Sequence, residues 1–220
     1  MKQDTHYPRL SLIYQGSLLL LAMVLSRLIP TGMVTINQII DTPFTSWESW
    51  LVIALTIGIL ILTWNWALKH QLMKTFSLSK SGLKAIGWGF LTIFLIGFIG
   101  SNLMLLTRSS YDTSLQETLG IIPLLPQAMT MLAASVLEEF FFRGWLFSWF
   151  KERSFWPILI STGLFCLYHF PTNIGHLFLY LGMGFALSRV YQTSQNLSAA
   201  ISLHLLWNAF TLIMTILIMV

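Results

Sequence analysis

The sequence predicts an all-α fold, a polytopic bundle of about seven transmembrane helices with a cytoplasmic N-terminus. Three observations carry this reading. Twelve Lys and Arg and eight Asp and Glu in 220 residues leave the chain 9% charged and 55% hydrophobic, with mean hydropathy +0.73. Soluble domains carry about a quarter charged residues, so this chain cannot cover a water-facing surface. Apolar segments recur along the whole length, and the cations between them fall unevenly on the two sides that such segments would separate.

Seven apolar stretches lie at roughly 10–29, 49–68, 83–106, 121–149, 155–170, 174–191 and 197–220, several of them near the about 20 residues a crossing requires. The first follows Lys2 and Arg9, as the core of a signal peptide would. No small-residue cleavage site follows it, so it reads as a retained span. With the N-terminus inside, the inner side holds nine cations: Lys2, Arg9, Lys69, Lys74, Lys80, Lys84, Lys151, Arg153 and Arg189. The outer side holds only Arg27 and Arg108, and Arg143 lies within a span. This asymmetry sets the orientation and places the C-terminus outside. Asp41, Glu48, Asp112 and Glu117 fall in outer connectors. Trp47, Trp50, Trp64, Trp66, Trp145, Trp149 and Trp156 sit near span ends, where interfacial aromatic belts belong. The chain reads as a single integral membrane domain, helices 1–3 over residues 1–118 and a core of helices 4–7 over 119–220. Without a basic run, a nucleic-acid partner is excluded; the lone Cys166 excludes an internal disulfide and a multi-thiolate metal site. The partners are the lipid bilayer and whatever the bundle binds within it.

Ionisable groups inside spans cost a few kcal/mol each and are functional by default. The fourth stretch places Glu138 and Glu139 before Phe140, Phe141, Phe142 and Arg143. Glu139 and Arg143 are four apart with the acid first, the favourable order for a helical ion pair. Glu138 then points about 100° away and must find partners on other helices. In the seventh stretch His204 and Asn208 share one face, four apart; His169 stands near the end of the fifth. At 1.5 Å per residue from the inner connectors, Glu138 lies about 18 Å deep, His169 about 21 Å, Asn208 about 17 Å and His204 about 11 Å. The four therefore share a layer. Cys166 is read as small core filler, His176 as a packing histidine without a spaced polar partner, and His6 and His70 carry no argument.

A carboxylate in an apolar, partly wet cavity can serve as general base toward water, with imidazole and amide groups as donors for an oxyanion. The same Glu138, His169 and His204 could instead hold a metal with an open fourth position. A proton relay in a transporter would also use these groups, but no internal symmetry or broken helix pair marks the two halves.

Glu138-Glu139-x-x-x-Arg143, then Phe165-x-x-x-His169, then His204-x-x-x-Asn208, in that order on three spans, resembles the CPBP family of intramembrane proteases, also called ABI. Its best-known members are the type II CAAX prenyl endopeptidases. The resemblance covers roughly residues 120–212, and the first three spans contribute only hydrophobicity. It implies a membrane bundle enclosing a water-accessible cavity that cleaves a peptide or protein substrate at the membrane. On matching positions Glu138 would activate water, His169 would be its partner, and His204 with Asn208 would stabilise the oxyanion; Glu139 and Arg143 would be supportive. The family has been described both as metalloproteases and as metal-independent, glutamate-dependent enzymes. A divalent metal such as zinc, on Glu138, His169 and His204, therefore stays open, and the glutamate mechanism does not require it. The substrate would be membrane-associated, prenylated or bacteriocin-like. The alternatives are a non-catalytic scaffold or immunity protein and a proton-coupled transporter. A compact, loop-poor, multi-pass design points to a bacterial plasma membrane.

Overall fold

The computed structural model describes residues 9–73, 76–106, 121–150 and 155–219. Among them every regular element is helical: α1 (Arg9–Ile39), α2 (Ser46–Lys69), α3 (Lys80–Leu106), α4 (Leu124–Glu139), α5 (Trp156–Tyr168), α6 (Ile174–Ser194) and α7 (Leu197–Met219). A π-helical turn (Phe140–Trp145) and a 3-10 turn (Leu146–Trp149) continue α4. Four helices, α1, α2, α3 and α7, are long and apolar enough to cross a membrane, and the chain is an integral, multi-pass membrane protein. By the same measure α4, α5 and α6 fall short. Helix α5 has 13 residues, about 20 Å of rise. Helices α4 and α6 exchange apolar side chains for the acids, histidine and glycines that the bundle encloses.

Helix α1 extends beyond the expected boundary at residue 29, passing through Pro30 to Ile39. Membrane helices tolerate an internal proline because neighbouring groups satisfy the freed carbonyl. Arg27 is thereby carried into the body of the helix instead of flanking it. At its far end, Asn37 Nδ2 donates to Glu48 Oε1 at 2.9 Å. Glu48, expected in a connector, lies buried in the first turn of α2 and closes a capping box with Thr45.

The central core joins Ile93 of α3, Leu137 and Phe142 of the α4 segment, Phe165 of α5, Leu187 of α6 and Leu203 of α7, all buried. Helices α3 and α6 form the most extensive pairing. Glycines permit it: a Cβ added at Gly100 would lie 2.9 Å from the Gly175 carbonyl oxygen. At the other end of this pair, Asn196 Nδ2 donates to Ser77 O at 2.7 Å, joining the approach to α3 to the α6–α7 turn. Lys69, Lys80, Lys84 and Arg189 gather at helix ends on that side, the end the cation count assigns to the inside. Lys2, His6, Lys74, Arg108, Asp112, Glu117, Lys151 and Arg153 lie outside the described residues.

Trp47, Trp50, Trp149 and Trp156 are exposed at helix ends, as belt residues are. Trp145 is not. Its indole N–H donates to Leu12 O at 2.6 Å and its ring fills the space beside Gly16, so it docks α1 against the π turn. His176 also departs from expectation: its Nδ1 lies 3.0 Å from Thr172 Oγ1 and 3.2 Å from Asn173 Nδ2, while Asn173 Oδ1 caps its backbone N–H. Its partners belong to the turn before α6, a local cluster that helical spacing does not reveal.

Gly100→Val forces a branched side chain against the Gly175 backbone and is expected to cost about 1–3 kcal/mol, seen as a lower thermal midpoint in detergent. On the same helix Gly87→Ala meets no atom within 4 Å and should be neutral or slightly stabilising.

Candidate functional site

The adjacent acids Glu138 and Glu139 end α4 where the helix widens into the π turn, a local irregularity frequent at functional sites. Both are buried, with relative exposures of 2% and 0%. Glu139 is met from its own segment and from α7. Arg143 NH1 donates to Glu139 Oε1 at 2.8 Å, the ion pair expected from the i, i+4 spacing. His204 Nδ1 approaches the same oxygen at 2.8 Å. An ionised carboxylate only accepts, so Nδ1 carries the hydrogen and His204 turns Nε2 the other way. Arg143 also donates from NH2 to Gly184 O at 2.9 Å and stacks its guanidinium 4.9 Å from the Phe165 ring centre. This unit is sealed: Arg143 and Glu139 side chains are 0% exposed and His204 2%.

Glu138 is held differently. Arg27 NH2, from α1, donates to its Oε1 at 3.0 Å and lies over the Tyr168 ring at 4.1 Å. The other oxygen, Oε2, accepts no hydrogen bond from the described residues and faces His169 Nε2 at 3.7 Å and His204 Nε2 at 3.8 Å. His169 stands at the C-cap of α5, where Phe170 takes a left-handed φ of 46° and Pro171 prevents continuation. Its Nδ1 lies 2.9 Å from Phe165 O, an acceptor only, so it too presents an Nε2 lone pair to Glu138. The ring sits between Phe165 and Tyr180, with centroids 4.4 and 4.5 Å away. Three lone pairs thus converge across gaps too wide for direct hydrogen bonds and suited to one small bridging species.

These groups open onto a cavity of about 490 Å³ whose walls come from α1, α4, α6 and α7. It brings together Glu138, His169, His204 and Asn208, all four residues expected there. Asn208 Nδ2 donates to Ser135 Oγ at 2.8 Å; the amide has a second N–H. Glu139 and Arg143 stand behind the cavity wall as support. Cys166 is buried, its Sγ 4.0 Å from Leu177 O, and does not line the cavity. Arg27 and Ser135 are the members that sequence reasoning missed. The cation count places Arg27 on the outer side, although an intramembrane cation is itself a signal.

The donor chemistry at Glu138, His169 and His204 suits a divalent cation, since all three present lone pairs. Their spacing is wider than the about 3.4 Å edge of a tetrahedral zinc site, and among the described residues no three His, Cys, Asp or Glu side chains are gathered as a metal-binding group.

Residues 120–210 match the family model for Rce1-like type II CAAX prenyl endopeptidases. The UPF0177 protein YvdC of Lactococcus lactis is 31% identical over 133 residues, 58% of this chain and 51% of that protein. The protein named "Putative membrane peptidase YdiL" of Bacillus subtilis is 31% identical over 145 residues, 63% of this chain and 58% of that protein. The chain thus spans little more than half the length of these curated relatives, and no solved structure matches it significantly. Residues 120–210, the part that carries all three motifs, are thus similar to the type II CAAX prenyl endopeptidases of the CPBP family.

Proposed function

We propose that the chain is an intramembrane endopeptidase that hydrolyses a peptide bond of a membrane-associated substrate. The observation that carries this is the convergence of an unbonded Glu138 Oε2 with two imidazole Nε2 atoms on a cavity that also contains the Asn208 amide. A water between Glu138 Oε2 and His169 Nε2 gives its proton to Glu138 as its oxygen bonds to the substrate carbonyl carbon. The tetrahedral oxyanion accepts from the second N–H of the Asn208 amide, beside His204, whose ring Glu139 orients through Nδ1–H. The C–N bond then breaks, and Glu138 returns the proton to the leaving amine. Arg27 fixes which carboxylate oxygen does this by occupying the other.

The cavity wall supports a peptide as the occupant. Ser26, Thr31, Thr130 and Thr211 line it, and each hydroxyl already donates within its own helix, to Met23 O, Arg27 O, Pro126 O and Asn208 O at 2.8 to 3.0 Å. To a ligand they therefore offer acceptors alone. An extended backbone supplies the matching N–H groups. Should a metal take part, Glu138, His169 and His204 would hold it, where it would supply Lewis-acid chemistry.

Reconstituted full-length chain should cleave members of a membrane-peptide library. Glu138→Gln should lower kcat by about 10²- to 10⁴-fold. Asn208→Ala should cost about 10²- to 10³-fold in kcat with a smaller change in KM. Cleavage that survives Glu138→Gln would sink the assignment, and an inert wild type would leave the non-catalytic partner standing. Chelator should leave the rate unchanged; loss restored by zinc would require the metal version.

Arg27→Gln releases Glu138 Oε1 and should reduce kcat by up to about 10²-fold through misplacement of the base, with KM little altered. Arg27→Lys keeps a cation there and should recover part of the loss. Equal losses in the two variants would remove the positioning role.

A further inference from the structure

We infer that the chain carries a binding site for an anionic phospholipid in the groove between α3 and α6, separate from the cavity at Glu138. The groove encloses about 460 Å³. Its two ends differ chemically. Ser81 and Lys84, at the start of α3, and Arg189 and Thr193, at the end of α6, form a polar end at one boundary of the bundle. Trp88, Gly89 and Thr92 on α3, with Phe185 and Ala186 on α6, continue it into an apolar floor.

Size and charge both select the occupant. From Ser81 to Thr92 the floor follows α3 for about 16 Å, close to the depth of one leaflet, half of the about 30 Å hydrocarbon core. A molecule filling the groove therefore has a head at the boundary and an acyl chain one leaflet long. Among the described residues no carboxylate lines the groove, while Lys84 and Arg189 are both cationic and exposed. Arg189 NH1 donates to Gln192 Oε1 at 3.0 Å, which leaves most of its five N–H bonds for other acceptors. Basic pockets between membrane helices on this side take acidic headgroups, each nearby cation adding to the attraction. Trp88, 63% exposed, and Phe185, 39% exposed, offer faces to the acyl chain. Positive charge at helix ends alone would attract acidic lipid diffusely. The groove adds a bounded place for one molecule.

The test is native mass spectrometry of the full chain released from nanodiscs containing equal phosphatidylglycerol and phosphatidylcholine. Wild type should retain one phosphatidylglycerol in preference to phosphatidylcholine. The double variant Lys84→Gln, Arg189→Gln should lower that retention roughly tenfold to thirtyfold. Lys69→Gln, an exposed cation at the same end but outside the groove, should leave it unchanged. Equal retention of the two lipids, no effect of the double variant, or an equal effect of Lys69→Gln would each overturn the site. Displacement of the lipid by millimolar inorganic phosphate would overturn the lipid reading in favour of a free anion.

Discussion

Two neighbouring carboxylates buried in a membrane bundle cannot both go uncompensated, and the rest of this structure is arranged around that constraint. An isolated buried ion costs several kcal/mol even after relaxation. Successive residues on a helix point about 100° apart, so no single neighbour can serve both acids. Glu139 is compensated from its own segment by Arg143, and that pair recruits His204 of α7. Glu138 is compensated from α1 by Arg27. The first helix and the last are thus tied to the same two residues of α4, and the bundle closes around them.

Identical side chains acquire different chemistry from this division. Glu139 spends one oxygen on two donors and is closed from every side, which suits a group that orients an imidazole. Glu138 spends one oxygen on Arg27 and keeps the other for the cavity. His204 stands between them, donating to one acid and facing the other. Arg143 widens the sealed side by gripping Gly184 of α6, so the helix that carries Tyr180 beside His169 is fixed to the same network.

Much of this was legible in the sequence because it follows from regular spacing. The Glu139–Arg143 pair came from four residues on a helix, and the common layer of Glu138, His169, His204 and Asn208 came from counting rise along separate spans. What spacing does not encode stayed hidden. Arg27, counted with the outer cations, lies inside a helix that runs ten residues past the expected boundary at 29 and through Pro30. Trp145 has the composition of a belt residue, and only packing beside Gly16 makes it a core group. Among the described residues seven apolar stretches became seven helices, yet only four have the length and apolarity to cross alone, because α4 and α5 are short and glycines and polar residues dilute α6. The polar partners of His176 lie in a turn, where no period applies.

Arg27 is the most exposed member of the network. The Arg27 side chain is 41% exposed, against 3% for Glu138 and 0% for Glu139 and Arg143. A ligand entering the cavity therefore meets Arg27 together with the free Glu138 oxygen. Any acceptor it presents, a peptide carbonyl included, draws on the same guanidinium that holds Glu138 Oε1. The sealed unit of Glu139, Arg143 and His204 meanwhile keeps its geometry, since none of its bonds faces the cavity except through His204 Nε2. Occupancy of the cavity is thus coupled to Glu138, whose free oxygen faces it, and uncoupled from Glu139, which ties the helices together. Placing the two carboxylates side by side achieves this, because adjacency puts them on different faces and only the Glu138 face opens onto this cavity.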